Sequence, residues 1–136
     1  MSIADELGKK PELMPPLTLA YIGDVVYEIY VRTRTLAENP DLPTGKLHNK
    51  SIRYVKAQAQ CRSIQAMTDM LTDEEMSVYK RGRNAKSASS AKNASLIEYK
   101  HATGFEALVG YLYLKGENER LDEIMKRAYE INAQNE

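Results

Sequence analysis

Apolar residues recur at helical spacing along nearly the whole chain, and no alternating β pattern lasts long enough to indicate a sheet. The first predicted helix opens at Pro15–Pro16, because proline suits a first helical turn, and runs to about Leu36. The other predicted helices cover Lys46 to Ala66, Thr72 to Gly82, Ser95 to Lys115 and Glu117 to Asn132. The predicted fold class is therefore all-α, with five or more helices around one core.

Capping and turn residues set the expected helix ends. Thr72 and Glu75 have the capping-box spacing that starts a helix, and Gly82 is expected to end that helix. The next helix is expected to end at Gly116 and allows a break near Thr103–Gly104. These boundaries leave no long linker, so the sequence predicts one compact helical unit.

Composition narrows the class of protein. A chain of 136 residues with 43% hydrophobic and 28% charged residues is typical of one globular domain. Cys61 is the one cysteine, so no intrachain disulfide can form, and no Cys/His cluster indicates a zinc site. The N-terminus has no apolar signal region, and no stretch approaches the ~20 apolar residues of a membrane span. A cytoplasmic protein without a membrane partner is expected.

The formal net charge is zero, but the charges are unevenly placed. Residues 42–68 and 76–97 contain no acid, and each window holds five lysines or arginines. Within the second window, the sequence KRGRNAKS at 80–87 combines four cations with Asn and Ser beside a glycine. This mixture suits phosphate oxygens and 2′-hydroxyls, so the segment 80–87 is a candidate RNA-binding site. Residues 83–93 are interpreted as a loop or a frayed helix end. The alternative is a loop whose charges serve only solvation.

Two carboxylates lie in unusually apolar surroundings. Asp24 follows the run LAYIG at 19–23, and Glu106 is the one charge between His101 and Lys115. An unpaired buried carboxylate is costly, so each must be capped, paired, metal-bound or near a cleft. Capping remains open for both, because Asp24 follows a glycine and the sequence 103–106 has capping-box spacing.

Glu28 lies four residues after Asp24, on the same helix face. Like charges at this spacing repel each other by a few tenths of a kcal/mol unless a cation lies over them. A divalent ion or a lysine would relieve the repulsion. Ordinary solvation is the alternative interpretation for Glu28.

Two segments resemble the motifs of the ribonuclease III family. They are LTLAYIGDVVYE at 17–28 and ATGFEALVGYLYL at 102–114, and together they place the resemblance over residues 15–130. The chain is similar to the short Mini-ribonuclease III subfamily, which keeps the catalytic domain and which the sequence at 80–87 also resembles. The resemblance implies a ribonuclease III endonuclease-domain-like helical bundle. Residues 1–136 are expected to form a single catalytic domain with no separate RNA-binding domain.

The resemblance implies that Asp24 and Glu106 are catalytic and hold Mg²⁺. Ribonuclease III proper carries further acids at the positions of Leu17, Ala20 and Thr103, where this chain has none. Magnesium is commonly held by one or two carboxylates, several waters and substrate phosphates. The missing acids are therefore compatible with a more hydrated ion.

The implied activity is endonucleolytic cleavage of double-stranded RNA to 5′-phosphate and 3′-hydroxyl ends. The implied substrate is the 23S (large-subunit) ribosomal RNA precursor, on which a ribosomal protein is a further candidate partner. Two cuts across a groove imply a homodimer. The resemblance implies that Tyr21 lies at the dimer interface. The residues expected to bind RNA are Lys80, Arg81, Arg83, Asn84, Lys86, Ser87 and Lys92.

Two other functions fit the same residues. The first is a non-catalytic module that binds structured RNA with a ribonuclease III-like fold, which the missing acids favour. The second is a helical protein-interaction module with no RNA role, against which the two basic windows count.

Overall fold

The structure is a computed structural model that describes residues 3–86 and 95–134. Within these ranges the chain forms six α-helices and three short 3₁₀ helices and no β-strand. The 3₁₀ helices are Ile3–Glu6, Pro11–Leu13 and Thr68–Met70. The α-helices are α1 (Pro16–Glu38), α2 (Thr44–Val55), α3 (Ala57–Met67), α4 (Asp73–Asn84), α5 (Leu96–Lys115) and α6 (Asn118–Ala133). The all-α prediction is confirmed.

Helix α5 lies at the centre of the molecule and packs against α1, α3, α4 and α6. Its sequence explains this position, because a helix that is apolar on every side must be covered on every side. Phe105, Leu108 and Val109 are fully buried. Among the described helices, none has the combination of length and apolar character that a membrane span requires.

Helices α1 and α5 cross at two glycines, and their backbones touch there. A Cβ atom on Gly23 would lie 1.7 Å from the carbonyl oxygen of Glu106. A Cβ atom on Gly110 would lie 1.9 Å from the carbonyl oxygen of Leu19. Only glycine permits this approach, so the two glycines fix how closely the helices that carry Asp24 and Glu106 can meet.

The predicted helix from Lys46 to Ala66 is wrong as a single element. The backbone of Lys56 is extended, with φ −65° and ψ 154°, and separates α2 from α3. The carbonyl of Val55 at the end of α2 accepts a hydrogen bond of 2.8 Å from the Gln60 side-chain amide. The local sequence does not predict this break, because no glycine or proline marks it.

The break considered near Thr103–Gly104 is absent, and α5 is continuous there. The Thr103 hydroxyl donates to the carbonyl of Tyr99, 3.0 Å away, one turn earlier in the helix. Gly116 ends α5 as predicted, in the left-handed conformation with φ 75°.

Helix α4 begins with the predicted capping box of Thr72 and Glu75 but does not end at Gly82. It continues to Asn84, because Gly82 is a packing residue and not a helix stop. A Cβ atom on Gly82 would lie 2.8 Å from the Cβ of Ala107 and 2.9 Å from the Cα of Gly104. Tertiary packing thus overrides the usual helix-breaking tendency of glycine.

Candidate active site

Asp24 and Glu106 meet where α1 crosses α5. Gly23 brings the α1 backbone against the carbonyl of Glu106, so the carboxylate that follows it in sequence faces that part of α5. Asp24 is exposed and Glu106 is partly buried. Both residues lie inside continuous helices, so the alternative that either one caps a helix start is wrong.

Asp24 lies close enough to Glu106 to affect the pKa of Glu106. Burial, followed by the charge of Asp24 and a hydrogen bond to it, raises the pKa of Glu106 from 4.5 to about 8. At neutral pH this raised pKa favours the protonated form of Glu106 in the metal-free protein. A cation between the two carboxylates would take the place of that proton and allow both to ionise.

A third polar side chain, Gln60 of α3, contacts the pair. Its Nε2 atom lies 3.3 Å from Oε2 of Glu106, and this amide lowers the pKa of Glu106, against the larger effect of burial. Gln60 is 2% exposed. Gln60 was not identified from the sequence, because its only signal is an uncharged amide on a face of α3 that turns out to be buried. The contact joins residues that are 46 positions apart in the chain.

Glu28 does not join the site by any contact recorded for it. Its carboxylate pairs with Arg32 at 3.4 Å along the exposed side of α1. This is ordinary solvated pairing within a helix.

The donor set fits a hydrated magnesium ion better than a metal that needs a full protein cage. Within residues 3–86 and 95–134, no three His, Cys, Asp or Glu side chains come close enough to hold a metal together. The family positions at Leu17, Ala20 and Thr103 add no acid. Two adjacent carboxyls offer magnesium its one or two protein oxygen ligands and leave the other ligand positions to water and phosphate.

Four of the predicted RNA-binding residues lie on α4, and two of them, Arg83 and Asn84, are helical in the segment predicted to be a loop or a frayed helix end. Lys80, Arg81, Arg83 and Asn84 belong to the last turns of α4, and Lys86 is exposed just beyond its end. The reason is the continuation of α4 past Gly82. Ser87 and Lys92 lie outside the described residues.

The last turns of α4 pack beside the segment of α5 that carries Glu106. Gly82 lies against Thr103, Gly104 and Ala107, the neighbours of Glu106 in α5. The guanidinium of Arg83 lies 5.6 Å from the ring centre of Tyr79, and its Nε donates to Oδ1 of Asn84 at 3.1 Å. The basic end of α4 and the carboxylate pair are thus carried by two directly packed helices.

Arg81 is held differently from its neighbours. Its Nη2 atom donates to the carbonyl of Met14, 3.2 Å away, just before α1. This contact ties the basic end of α4 to the chain segment that leads into α1.

Tyr21 stands on an apolar face that no described part of the chain covers. Its side chain is 75% exposed, and it borders a groove of about 710 Å³ between α1, α5 and α6. Val25, Ile29 and Tyr113 in this groove are also exposed. An apolar patch of this kind is typical of an interaction surface.

Comparison with known proteins agrees with this fold. The model of the ribonuclease III domain matches residues 17–117, which include both carboxylates, Gln60 and the whole of α4. The chain therefore belongs to the ribonuclease III family of endoribonucleases that act on double-stranded RNA.

The individual proteins that are similar to this chain indicate a subfamily. A Mini-ribonuclease 3 of Clostridium tetani is 55% identical over 126 residues, which are 90% of this chain and 83% of that protein. A Mini-ribonuclease 3 of Brevibacillus brevis is 49% identical over 127 residues, 93% of this chain and 94% of the relative. The predicted resemblance to the Mini-ribonuclease III subfamily is confirmed.

A solved structure is similar over the same range. The crystal structure of a Fusobacterium nucleatum protein superposes with a TM-score of 0.79 at 26% sequence identity. The match covers 87% of this chain and 94% of that chain.

Proposed function

We propose that this endoribonuclease is magnesium-dependent and that Asp24 and Glu106 hold the ion. The observation that carries the proposal is the meeting of these two carboxyls at the glycine crossing of α1 and α5. When bound, Mg²⁺ supplies charge for the phosphate oxygens and lowers the pKa of a bound water that can attack phosphorus. The expected products carry 5′-phosphate and 3′-hydroxyl ends.

Each side chain has a distinct role in this proposal. Asp24 is exposed, so it is the carboxylate that a hydrated cation would reach from solvent. Glu106 is partly buried, and as a metal ligand it would have to be deprotonated, so cation binding would release a proton.

The basic end of α4 is the proposed grip on double-stranded RNA. Lys80, Arg81, Arg83, Asn84 and Lys86 offer cations and amide donors suited to phosphates and 2′-hydroxyls, and Ser87 and Lys92 are proposed to extend this set. The packing of α4 against the Glu106 segment of α5 supports this role, because a duplex held by α4 would pass near the carboxylates.

We also propose that the protein is a homodimer that pairs through the exposed face around Tyr21. Cleavage of both strands of a duplex needs two active sites, and a symmetric dimer provides them. The exposed tyrosine and the apolar groove beside it support this placement. The proposed substrate is the large-subunit ribosomal RNA precursor in the cytoplasm, with a ribosomal protein on that RNA as a candidate partner. This last step rests on the subfamily resemblance alone.

The decisive experiment compares Asp24→Asn with Glu28→Gln. Both substitutions remove one carboxylate from the solvent side of α1, one turn apart, but only Asp24 faces Glu106. With Mg²⁺ and double-stranded RNA, D24N should lose cleavage by at least about a hundredfold, as expected when a site loses transition-state charge stabilisation. E28Q should cleave like the unmodified protein, because an exposed ion pair contributes little.

The control measurements are RNA affinity in EDTA and thermal unfolding, neither of which should change much in D24N. Full cleavage by D24N, or equal losses in D24N and E28Q, would contradict the assignment of the metal to this pair. Cleavage by the unmodified protein in excess EDTA would contradict the metal dependence itself.

A further inference from the structure

Gln60 is the one side chain outside the two acids that has a recorded hydrogen bond to the carboxyl group of Glu106 within the described residues. It lies in the first turn of α3 and is 2% exposed, whereas Asp24 is exposed to solvent. A buried polar side chain at such a place needs a reason, since burying an amide without partners is costly.

The orientation of the Gln60 amide is set by its other bond. Nε2 donates to the carbonyl of Val55 at 2.8 Å, where α2 has ended and that carbonyl needs a donor. A flipped amide would place two oxygen atoms against each other at Val55 and again at Glu106. The bond to Val55 therefore ensures that Glu106 meets an N–H donor and not a carbonyl oxygen.

The remaining atom of the amide supports a role directed at Glu106. Oε1 of Gln60 is buried and has no hydrogen-bond partner in the described part of the chain. If the only task of the side chain were to donate to the Val55 carbonyl, an amide would be a costly choice, because it also buries an acceptor without a partner. The chain tolerates this unsatisfied atom while directing both recorded side-chain bonds of Gln60 through Nε2.

We propose that Gln60 is a positioning residue, which holds the Glu106 carboxylate in the orientation that binds the divalent cation. This inference rests on the proposed metal role of Asp24 and Glu106. A neutral donor behind a ligand carboxylate fixes its rotamer, whereas a lysine there would repel the cation and a carboxylate would compete for it. The break between α2 and α3 thereby acquires a function, because it frees the carbonyl that anchors the amide.

The test is metal binding by the RNA-free protein, with Mn²⁺ as the probe and free Mn²⁺ measured by electron paramagnetic resonance. Gln60→Met keeps the unbranched shape and removes the donor. Ser63→Ala is the matched control on α3, because the buried Ser63 hydroxyl donates to the carbonyl of Ala128 at 2.8 Å, away from Glu106. Both variants should unfold more easily.

Only Q60M should bind Mn²⁺ more weakly, by roughly 10- to 100-fold, as is usual when the partner behind a metal ligand is removed. In a Glu106→Gln background, the further change Q60M should leave Mn²⁺ affinity unaltered, since the carboxylate on which it acts is gone. Equal Mn²⁺ affinity in Q60M and the unmodified protein, or equal weakening in Q60M and S63A, would overturn the proposal.

The unmodified protein offers a measurement that does not depend on a variant folding. The side-chain amide resonance of Gln60 should shift when Mg²⁺ is added, while that of the buried Asn132, which bonds Ala59 and Ser63, should not. A Gln60 resonance that ignores saturating Mg²⁺ would overturn the positioning role. Failure of the unmodified protein to bind Mn²⁺ at all would instead refute the metal site, so the two failures are distinct.

Discussion

Gly23→Ala should separate the two helices that carry the carboxylates. The new Cβ would lie 1.7 Å from the carbonyl oxygen of Glu106, 2.7 Å from its carbonyl carbon and 2.8 Å from the amide nitrogen of Gly110. Ordinary van der Waals contact begins near 3.4 Å. All three obstacles are backbone atoms of α5, so no side chain can rotate away, and α1 and α5 must move apart along much of their contact.

The expected loss in stability follows from two opposing terms. Overpacking of a tight core costs about 1–3 kcal/mol and sometimes more, and a clash with backbone lies at or above the upper end of that range. Alanine is the better helix former by about 1 kcal/mol, which offsets part of the strain. The net free energy of unfolding should therefore fall by about 2 kcal/mol or more.

The assay is urea unfolding followed by circular dichroism, with Mg²⁺-dependent cleavage measured on the same samples. Gly45→Ala is the matched control: Gly45 is also helical, in the first turn of α2, and a Cβ there would meet nothing within 4 Å. G45A should be as stable as the unmodified protein or slightly more stable, with unchanged cleavage.

Cleavage by G23A should fall beyond what its folded fraction explains, because separating α1 from α5 also separates Asp24 from Glu106. A G23A protein that is as stable as G45A would refute the close backbone crossing. A destabilised G23A with full activity per folded molecule would refute the dependence of the site on that crossing.

Three further predictions concern protons, salt and assembly. Because the pKa of Glu106 is about 8 when folded and 4.5 in its ordinary state, the folded metal-free protein holds an extra proton between these values. Its free energy of unfolding in EDTA should therefore fall as pH rises from about 5 to 8, by up to about 1.4 kcal/mol per pH unit. Glu106→Gln should remove most of this pH dependence. If the variant and the unmodified protein lose stability with pH to the same extent, the raised pKa of Glu106 is contradicted. The double substitution of Arg83 and Lys86 by Ala should weaken RNA binding and reduce the slope of log K against log salt by about one unit per lost phosphate contact. Alanines at the exposed cations 126–127 are the control and should change neither. If the Arg83/Lys86 variant has the same slope as the unmodified protein, the charges of α4 serve only solvation. Tyr21→Asp should convert the proposed dimer to a folded monomer in sedimentation, because Tyr21 is 75% exposed within one chain. An unmodified protein that sediments as a monomer would disprove the dimer.

Most helices could be predicted from the sequence because their signals are local. The capping box at Thr72 and the left-handed Gly116 need only neighbouring residues, and both are confirmed. Gly82 was misleading, because a glycine that ends a helix and a glycine that lets two helices touch look alike in sequence. Only the contact with Ala107 and Gly104 distinguishes them.

The candidate site divides in the same way. Asp24 and Glu106 could be singled out because a carboxylate in an apolar run contradicts its surroundings. Gln60 could not, since an uncharged amide raises no such conflict, and its significance depends on where α3 places it. The break at Lys56 is equally hidden, because its cause is the packing of α2 and α3 on different neighbours.

The carboxylate pair explains how this fold can keep a strained charge arrangement before a metal arrives. Two ionised acids at one crossing would push α1 and α5 apart at the place where Gly23 requires them to touch. The raised pKa of Glu106 favours its neutral form, which reduces that repulsion. A divalent cation held by Asp24 and Glu106 would compensate their negative charge in place of the proton. The close glycine crossing and the raised pKa of Glu106 are therefore linked. The backbone holds the two acids close together, and a proton or a cation must compensate their negative charge.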